Sequence, residues 1–79
     1  MKAVVFVTLK PSVLDPQGKT VLGGLNNLGL KTVEDVRIGK HITLEVEAKT
    51  EAEARQIAEE ASKKLLANPV MEQYEIQVH

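Results

Sequence analysis

The 79-residue sequence contains no cysteine and no tryptophan, and Phe6 and Tyr74 are its only aromatic residues. Without cysteine the chain can form neither a disulfide nor a thiolate metal site. Two aromatic side chains are too few for the base-stacking platform of a protein that binds single-stranded nucleic acid. No apolar run approaches the length of a membrane span. We therefore expect a protein without a membrane segment and without metal-thiolate chemistry.

The sequence also lacks an excess of charge of either sign. Ten Lys and Arg stand against 11 Asp and Glu, which gives a net charge of −1 and no general attraction to nucleic acid. The start, Met1–Lys2 followed by AVVFV, is weakly similar to a leader, but Lys10–Pro11 follows without a small-residue cleavage site. We interpret it as a first core strand. The lack of cysteine and of a leader favours a cytoplasmic protein.

The length allows one domain, residues 1–79. A chain of this size buries roughly 60% of the surface that it exposes when unfolded, so its stability is marginal. Small domains without disulfides or metals often gain stability by oligomerising. We therefore expect the chain to bind itself as a homodimer or a larger homo-oligomer.

Four segments have the composition or the alternation of β-strands. KAVVFVTL is apolar on both faces and rich in β-branched residues, which predicts a central strand. HITLEVEA alternates cleanly between apolar and polar residues. TVEDVRI precedes it, and Gly39–Lys40 between the two is typical of a turn, so the pair predicts a hairpin. The predicted strands cover residues 2–9, 32–38, 41–48 and 70–78.

The first predicted helix contains an unusual number of glycines. Asp15 is a good N-cap and Pro16 is favoured at the first helical position. Apolar residues follow at helical spacing, and Gly29 is a plausible stop. Gly18, Gly23 and Gly24 are not explained by the helix start, and interior glycines weaken a helix by about 1 kcal/mol each relative to alanine. Their presence suggests that the sheet, a partner or a ligand approaches this helix closely.

The second predicted helix begins at a capping-box pattern, Thr50 and Glu53, and ends before Asn68–Pro69. The element order is therefore β-α-β-β-α-β, the order of an α+β ferredoxin-like sandwich. We expect a four-stranded antiparallel sheet with two helices on one face. The other face leaves Val4 and Phe6 without a helix to cover them, which predicts self-association through the sheet.

The sequence offers little for catalysis. Neither serine has a neighbouring histidine, and the two histidines lie on the predicted hairpin and at the chain end. There is no phosphate-binding loop of the P-loop kind. The start of the first helix could hold an anion, but a capped helix start is the simpler interpretation. We expect no catalytic residue, no cofactor and no metal.

Arg37 and Lys40 are the most suggestive charges. An arginine on a strand can bind a carboxylate or a phosphate with its two nitrogens. Arg37 could equally pair with Asp35 or Glu45 across the hairpin. The sequence alone leaves these two interpretations open.

Three stretches in this order carry a family resemblance: SVLDPQGKTV at 12–21, VEDVRIGKHITLEVE at 33–47 and KKLLANPVMEQYEI at 63–76. Together they resemble the PurS family, the small subunit of phosphoribosylformylglycinamidine synthase. The resemblance implies a role in purine biosynthesis, in a complex that converts formylglycinamide ribonucleotide to its amidine with ATP and glutamine. It also implies a non-catalytic dimer that bridges a large synthetase subunit and a glutaminase subunit and helps to pass ammonia between them.

The same resemblance suggests which residues contact other subunits. They lie in its most recognisable stretches: Asp15, Gln17 and Gly18 in LDPQG, and Arg37, Gly39 and Lys40 in VRIGK. The alternative is a small-molecule-binding regulatory domain of the same fold, with its ligand near DPQG. An acylphosphatase-type enzyme would need an arginine in the loop after the first strand, where this chain has KPSVLD. An RNA-binding domain would need several exposed aromatic residues, and only Phe6 is a candidate.

Overall fold

The computed structural model describes residues 1–79 and contains three β-strands and two α-helices. A π-helical turn, Ser62–Leu66, continues the second helix. No helix is both long enough and apolar enough to cross a membrane. The elements in chain order are β1 (Lys2–Leu9), α1 (Pro16–Asn27), β2 (Gly39–Glu45), α2 (Glu51–Ala61) and β3 (Glu72–Val78).

The three strands form one antiparallel sheet in the order β2-β1-β3. The prediction that the first strand is central is confirmed. Val5 lies between Ile42 of β2 and Ile76 of β3 in the register. Because side chains alternate along a strand, Ala3, Val5 and Val7 share one face, and all three are buried. This face, the inner face of the sheet, carries the core.

Helix α2 covers the inner face over β1 and β3. Thr50 caps its start by accepting the Glu53 N–H at 3.2 Å, and Glu53 accepts the N–H of Lys49 at 2.8 Å. Ala54 and Ala58 are fully buried, so the helix can lie close to the sheet. The hydroxyl of Tyr74 on β3 donates to Glu59 at 2.7 Å, and this contact raises the pKa of Tyr74. The remaining core residues are Val46, Ala67 and Ile76.

Helix α1 begins and ends as its sequence predicts. Asp15 is its N-cap and Pro16 its first residue. At the other end Gly29 has a φ of 93°, and its N–H donates to Asn26 while the N–H of Leu30 donates to Leu25. These two bonds form a Schellman motif, in which glycine is favoured because it adopts positive φ without strain. Nothing lies within 4 Å of a Cβ added at Gly23 or Gly24. At Gly23 and Gly24, therefore, no group of this chain makes the close approach that the three glycines suggested, whereas Gly18 lies against Val36.

The predicted four-stranded sheet with two helices on one face is wrong. Residues 32–38 form no strand, so there is no hairpin. The N–H of Val36 donates to the carboxylate of Asp35, and the N–H of Ile38 donates to that of Asp15. These donors are consequently not available to a neighbouring strand. Gly39 and Lys40 do not turn; they are the first residues of β2, opposite Thr8 and Val7.

Only α2 packs on the sheet, because α1 makes no comparable contact with any strand. The molecule measures 49 × 25 × 14 Å and has a radius of gyration of 15.8 Å, whereas a compact domain of this length has a radius of about 12 Å. The single chain is therefore an elongated body with α1 outside the sheet-and-helix core.

The second face of the sheet, the outer face, has no helix. Val4 on this face is nevertheless buried, with only 6% of its surface exposed, because it lies between Thr43 and Gln77 of the flanking strands. Phe6 is half-buried, and its ring lies 5.0 Å from the ring of His41. Self-association through this face stays a prediction.

Candidate subunit-contact site

Asp15 connects the loop after β1 to two other parts of the chain. One carboxylate oxygen, Oδ1, accepts the N–H of Gly18 at 2.9 Å, as an N-cap does. The other, Oδ2, accepts the N–H of Ile38 at 2.7 Å. The side chain is buried, at 3% exposure. The bonds from Ile38 and Gly18, with a smaller contribution from the Arg37 guanidinium, lower the pKa of Asp15 below its ordinary value of 3.8. The carboxylate therefore fixes the start of α1 against the residue that precedes β2.

Gly18 makes the second contact of this kind. It is buried in the first turn of α1, and a Cβ at this position would collide with the carbonyl oxygen of Val36. Only glycine lets the helix and the extended segment approach so closely. Gly18 is therefore required by the packing of this chain, independently of any other subunit.

Arg37 makes the third contact, in which a side chain of the segment before β2 binds the loop after β1. Its Nη2 donates to the carbonyl oxygens of Lys10 at 3.1 Å and Val13 at 2.9 Å. It forms no ion pair with Asp35 or Glu45, since the one ion pair of the structure joins Lys64 to Glu60 at 2.7 Å. Of the two interpretations of Arg37, the pairing with Asp35 or Glu45 does not occur, and Nη2 of the guanidinium binds the loop between β1 and α1.

We call these three residues, Asp15, Gly18 and Arg37, the clamp. The structure thus brings together three of the six residues that the resemblance suggested. Gly39 follows the clamp at the start of β2, where an added Cβ would lie 2.7 Å from the Val7 carbonyl oxygen. Gln17 and Lys40 are exposed, on α1 and on β2. The clamp consists of contacts within the chain that hold the start of α1, the loop after β1 and the segment before β2 together. Gln17 and Lys40 are exposed next to these segments.

An open depression of about 370 Å³ lies beside the clamp. Two charged side chains of opposite sign face it, Asp35 and Arg37, with Thr8 and Gln73 from the ends of β1 and β3. Gln73 donates to the Thr8 hydroxyl at 3.4 Å. The Gly18 N–H, which an anion at this helix start would need, already donates to Asp15. The depression is therefore an open feature of the surface, lined by apolar as well as polar atoms, Leu9 and Pro11 among them.

The structure assembles no reactive group of side chains. No three His, Asp or Glu side chains lie close enough together to hold a metal ion. The Ser62 hydroxyl is buried and donates to the carbonyl oxygen of Ala58 at 2.7 Å, so its hydrogen is bound within its own helix. His41 lies against Phe6 on the outer face of the sheet.

The partners of the clamp could not be predicted from the sequence, because they are main-chain groups. The N–H of Ile38 and the carbonyl oxygens of Lys10, Val13 and Val36 carry no sequence signal. Gly18 was the one available indication, because a glycine in the first turn of a helix has a conformational cost and so implies a close neighbour.

The family of the chain follows from comparison with known proteins. The sequence profile of the PurS family, described as phosphoribosylformylglycinamidine (FGAM) synthase, matches residues 2–79. The chain belongs to the PurS family. The resemblance noted in the sequence is thereby confirmed, and with it the place of the chain as a subunit of FGAM synthase in purine biosynthesis.

Individual PurS proteins agree over nearly the whole chain. The PurS subunit of Synechocystis sp. is 51% identical over 70 residues, which are 89% of this chain and 70% of that protein. PurS of Methanocaldococcus jannaschii, one of the subunits of formylglycinamide ribonucleotide amidotransferase in the purine biosynthetic pathway, is 42% identical. Its structure superposes with a TM-score of 0.89 over 99% of this chain and 94% of its own.

A structure of PurLQS from Thermotoga maritima contains a chain that is 38% identical. It superposes with a TM-score of 0.88 over 96% of this chain and 93% of its own. The elongated form with three strands and a separate α1 is therefore a close match to solved PurS structures.

Proposed function

We propose that this chain is a non-catalytic subunit that bridges a large ATP-dependent synthetase subunit and a glutaminase subunit of FGAM synthase and helps ammonia to pass between them. The observation that carries the proposal is the agreement, over nearly its whole length, with a chain of PurLQS. Two further subunits named with PurS in that assembly correspond to the two partners that the family resemblance implies. The complex would work in the cytoplasm, the compartment expected from the sequence.

The surface around the clamp is our proposal for the contact with these subunits. Gln17, Arg37 and Lys40 are exposed there, on α1, on the segment before β2 and on β2. Asp15 and Gly18 hold α1 and the segment in fixed relation. A surface that is already ordered before binding loses less conformational entropy when a partner docks. Gly39 lets the start of β2 lie close to β1. All six residues therefore contribute to this surface: Gln17, Arg37 and Lys40 by contact with the partner, and the other three by holding the surface in shape.

We also propose that the chain pairs with a second copy of itself. The radius of gyration of 15.8 Å exceeds the value of about 12 Å for a compact domain of this length, and Val21 of α1 and Leu28 and Leu30 just after it are exposed. A stable small protein without disulfides needs to cover such residues.

The test of the bridging role is a pull-down from a native extract with the tagged chain, followed by substitution. We expect recovery of a synthetase and a glutaminase. Arg37→Ala with Lys40→Ala should reduce that recovery and the complex peak in gel filtration, whereas Lys63→Ala, which removes an exposed lysine from the π-helical turn, should not. Unchanged assembly and unchanged glutamine-dependent activity in the double variant would remove both residues from the contact.

A further inference from the structure

The turn that precedes β3, residues 68–71, is held in shape by hydrogen bonds of its own. The side-chain oxygen of Asn68 accepts the N–H of Val70 at 2.9 Å and that of Met71 at 3.3 Å. The carbonyl oxygen of Asn68 accepts the N–H of Glu72 at 2.8 Å, and its N–H donates to the Glu72 carboxylate at 2.7 Å. The turn is therefore ordered within the single chain.

This ordered turn presents apolar side chains to solvent. Val70 is 77% exposed and Met71 is 45% exposed. Turns favour Gly, Asn, Asp and Ser, which either bond to the main chain or tolerate its conformation, and a β-branched valine does neither. Val70 is also absent from the core cluster. The fold of the chain therefore gives no reason for an apolar residue at this position.

Lys10 joins the turn to the loop after β1. Its N–H donates to the carbonyl oxygen of Met71 at 2.9 Å, and its Nζ donates to that of Pro69 at 3.0 Å. The carbonyl oxygen of Lys10 in turn accepts Nη2 of Arg37 at 3.1 Å. The turn, the loop and the clamp thus form one connected surface.

The loop after β1 contributes a further apolar residue to this surface. Leu14, which directly precedes the clamp in the sequence, is 69% exposed. We call residues 10–14 and 68–71 together the loop end. Adjoining exposed apolar residues, unlike single ones, indicate contact with another molecule. The contact surface proposed around the clamp is polar, whereas a protein interface combines an apolar centre with a polar rim. The loop end supplies the apolar part.

The charge of the loop end is positive. Its two stretches, KPSVL and NPVM, contain no Asp and no Glu. Lys10 and Arg37 bind carbonyl oxygens there and form no ion pair. The flanking carboxylates, Asp15 and Glu72, accept main-chain N–H groups of the chain. A two-fold contact between copies would bring two positive loop ends together, which like-charge repulsion disfavours. A partner with carboxylates fits this charge better.

We propose that the loop end docks into an apolar pocket, rimmed by carboxylates, on another subunit of FGAM synthase, with Val70 as the residue that enters the pocket. This inference rests on the proposed bridging function and specifies the chemistry of its contact. The carboxylates of the rim pair with Lys10 and Arg37. Because the turn is already ordered, it loses little conformational entropy on docking, and an apolar side chain that fills a pocket is a common centre of binding energy.

The first test titrates the chain into purified synthetase and glutaminase and measures the concentration that gives half of the maximal glutamine-dependent rate. Val70→Asp and Gln56→Asp introduce the same charge at exposed positions, but Gln56 lies on α2, outside the loop end. We expect this concentration to rise about 100-fold for Val70→Asp, which places an unpaired charge in the pocket, and to stay unchanged for Gln56→Asp. A Val70→Asp chain that acts at the wild-type concentration would overturn the proposal.

A milder variant covers the case in which Val70→Asp fails to fold by circular dichroism. Val70→Thr keeps the branched shape and adds only a hydroxyl. We expect it to raise the half-maximal concentration about tenfold, because the hydroxyl loses its water in the pocket. An unchanged concentration for a folded Val70→Thr chain would contradict docking of this residue.

The second test examines the carboxylates of the partner through the salt dependence of the same titration. Lys10→Gln removes the charge and keeps a hydrogen-bond donor. We expect added salt to raise the half-maximal concentration of the wild type, and to raise that of Lys10→Gln less, because screening acts on a charge pair that the variant lacks. Lys63→Gln is the matched control and should keep the wild-type dependence. A Lys10→Gln chain with the wild-type dependence would exclude the carboxylate rim.

Two further results separate this proposal from the bridging function and from self-association. If the wild-type chain does not raise the glutamine-dependent rate at all, the bridging function is wrong and the docking falls with it. If Val70→Asp lowers the mass of the chain alone by light scattering, the loop end is a contact between copies, and the docking is wrong while the bridging function stands.

Discussion

At the scale of single residues, Gly18 and Gly23 are one turn and a half apart on α1 and have opposite surroundings. A methyl group at Gly18 would collide with the Val36 carbonyl oxygen, whereas one at Gly23 would meet nothing within 4 Å. We expect Gly18→Ala to reduce the free energy of unfolding by about 1–3 kcal/mol and Gly23→Ala to raise it by about 0.5–1 kcal/mol. Urea unfolding of the two variants at equal protein concentration measures both values. Equal effects of the same sign would contradict the packing described for Gly18.

Asp15 makes the stability of the chain depend on acid pH. Its pKa is lowered in the folded state, so the folded chain binds a proton at this carboxylate less readily than the unfolded chain. The stabilisation is therefore complete above the ordinary value of 3.8 and is lost as the pH falls through the lower, folded value. We expect the stability difference between wild type and Asp15→Asn to shrink as the pH falls from about 5 to about 2.

The control for this titration is Glu60→Gln. The pKa of Glu60 is also lowered, by its exposed contact with Lys64, and it lies in α2, away from the clamp. Subtracting the free energy of unfolding of each variant from that of the wild type at each pH separates the contributions of the two carboxylates. A difference for Asp15→Asn that stays constant over the whole acid range would exclude the carboxylate as the source of the effect.

At the scale of elements, the segment before β2 shows how two aspartates replace a strand partner. The Ile38 N–H donates to Asp15, and the Val36 N–H donates to Asp35. We expect the Ile38 amide to exchange its hydrogen slowly in the wild type and about tenfold faster or more in Asp15→Ala. Asp35→Ala is the matched control and should affect Val36 but leave Ile38 protected. Exchange at Ile38 that is unchanged in Asp15→Ala would contradict the clamp.

Much of the element pattern could be predicted from local signals. Strand β1 agrees in both bounds, the caps at Asp15 and Thr50 are confirmed, and Gly29 ends α1 as expected. The predicted second strand failed for a reason that is not local. Its alternation is typical of a strand, but Asp15, 23 residues before Ile38 along the chain, accepts the hydrogen of that N–H group.

The placement of α1 could not be predicted either. An apolar face predicts that a helix is covered, but it does not say whether the covering surface belongs to the same chain or to another. The ferredoxin-like order placed both helices on one sheet, and in the single chain only α2 is there. The candidate site was predicted in part: the residues of LDPQG and VRIGK do meet, but through main-chain partners that leave no pattern in the sequence.

At the scale of the whole molecule, the single chain is small and leaves much of its surface uncovered. It exposes about 1,000 Å² more than a compact protein of its mass, its α1 lies outside its core, and its side chains form no cluster able to hold a metal. The PurS family gives this body a place in FGAM synthase. Shape and family together favour a subunit whose work is to hold other polypeptides in position.

The measurement that tests this claim most directly is reconstitution of formylglycinamide ribonucleotide amidination from purified synthetase and glutaminase, with and without this chain. We expect the glutamine-dependent rate to fall to background without it. We expect the rate with ammonium as nitrogen source to persist, since ammonia then need not pass between subunits. The chain alone should be inactive. A glutamine-dependent rate that is the same without the chain, or turnover by the chain alone, would contradict the account.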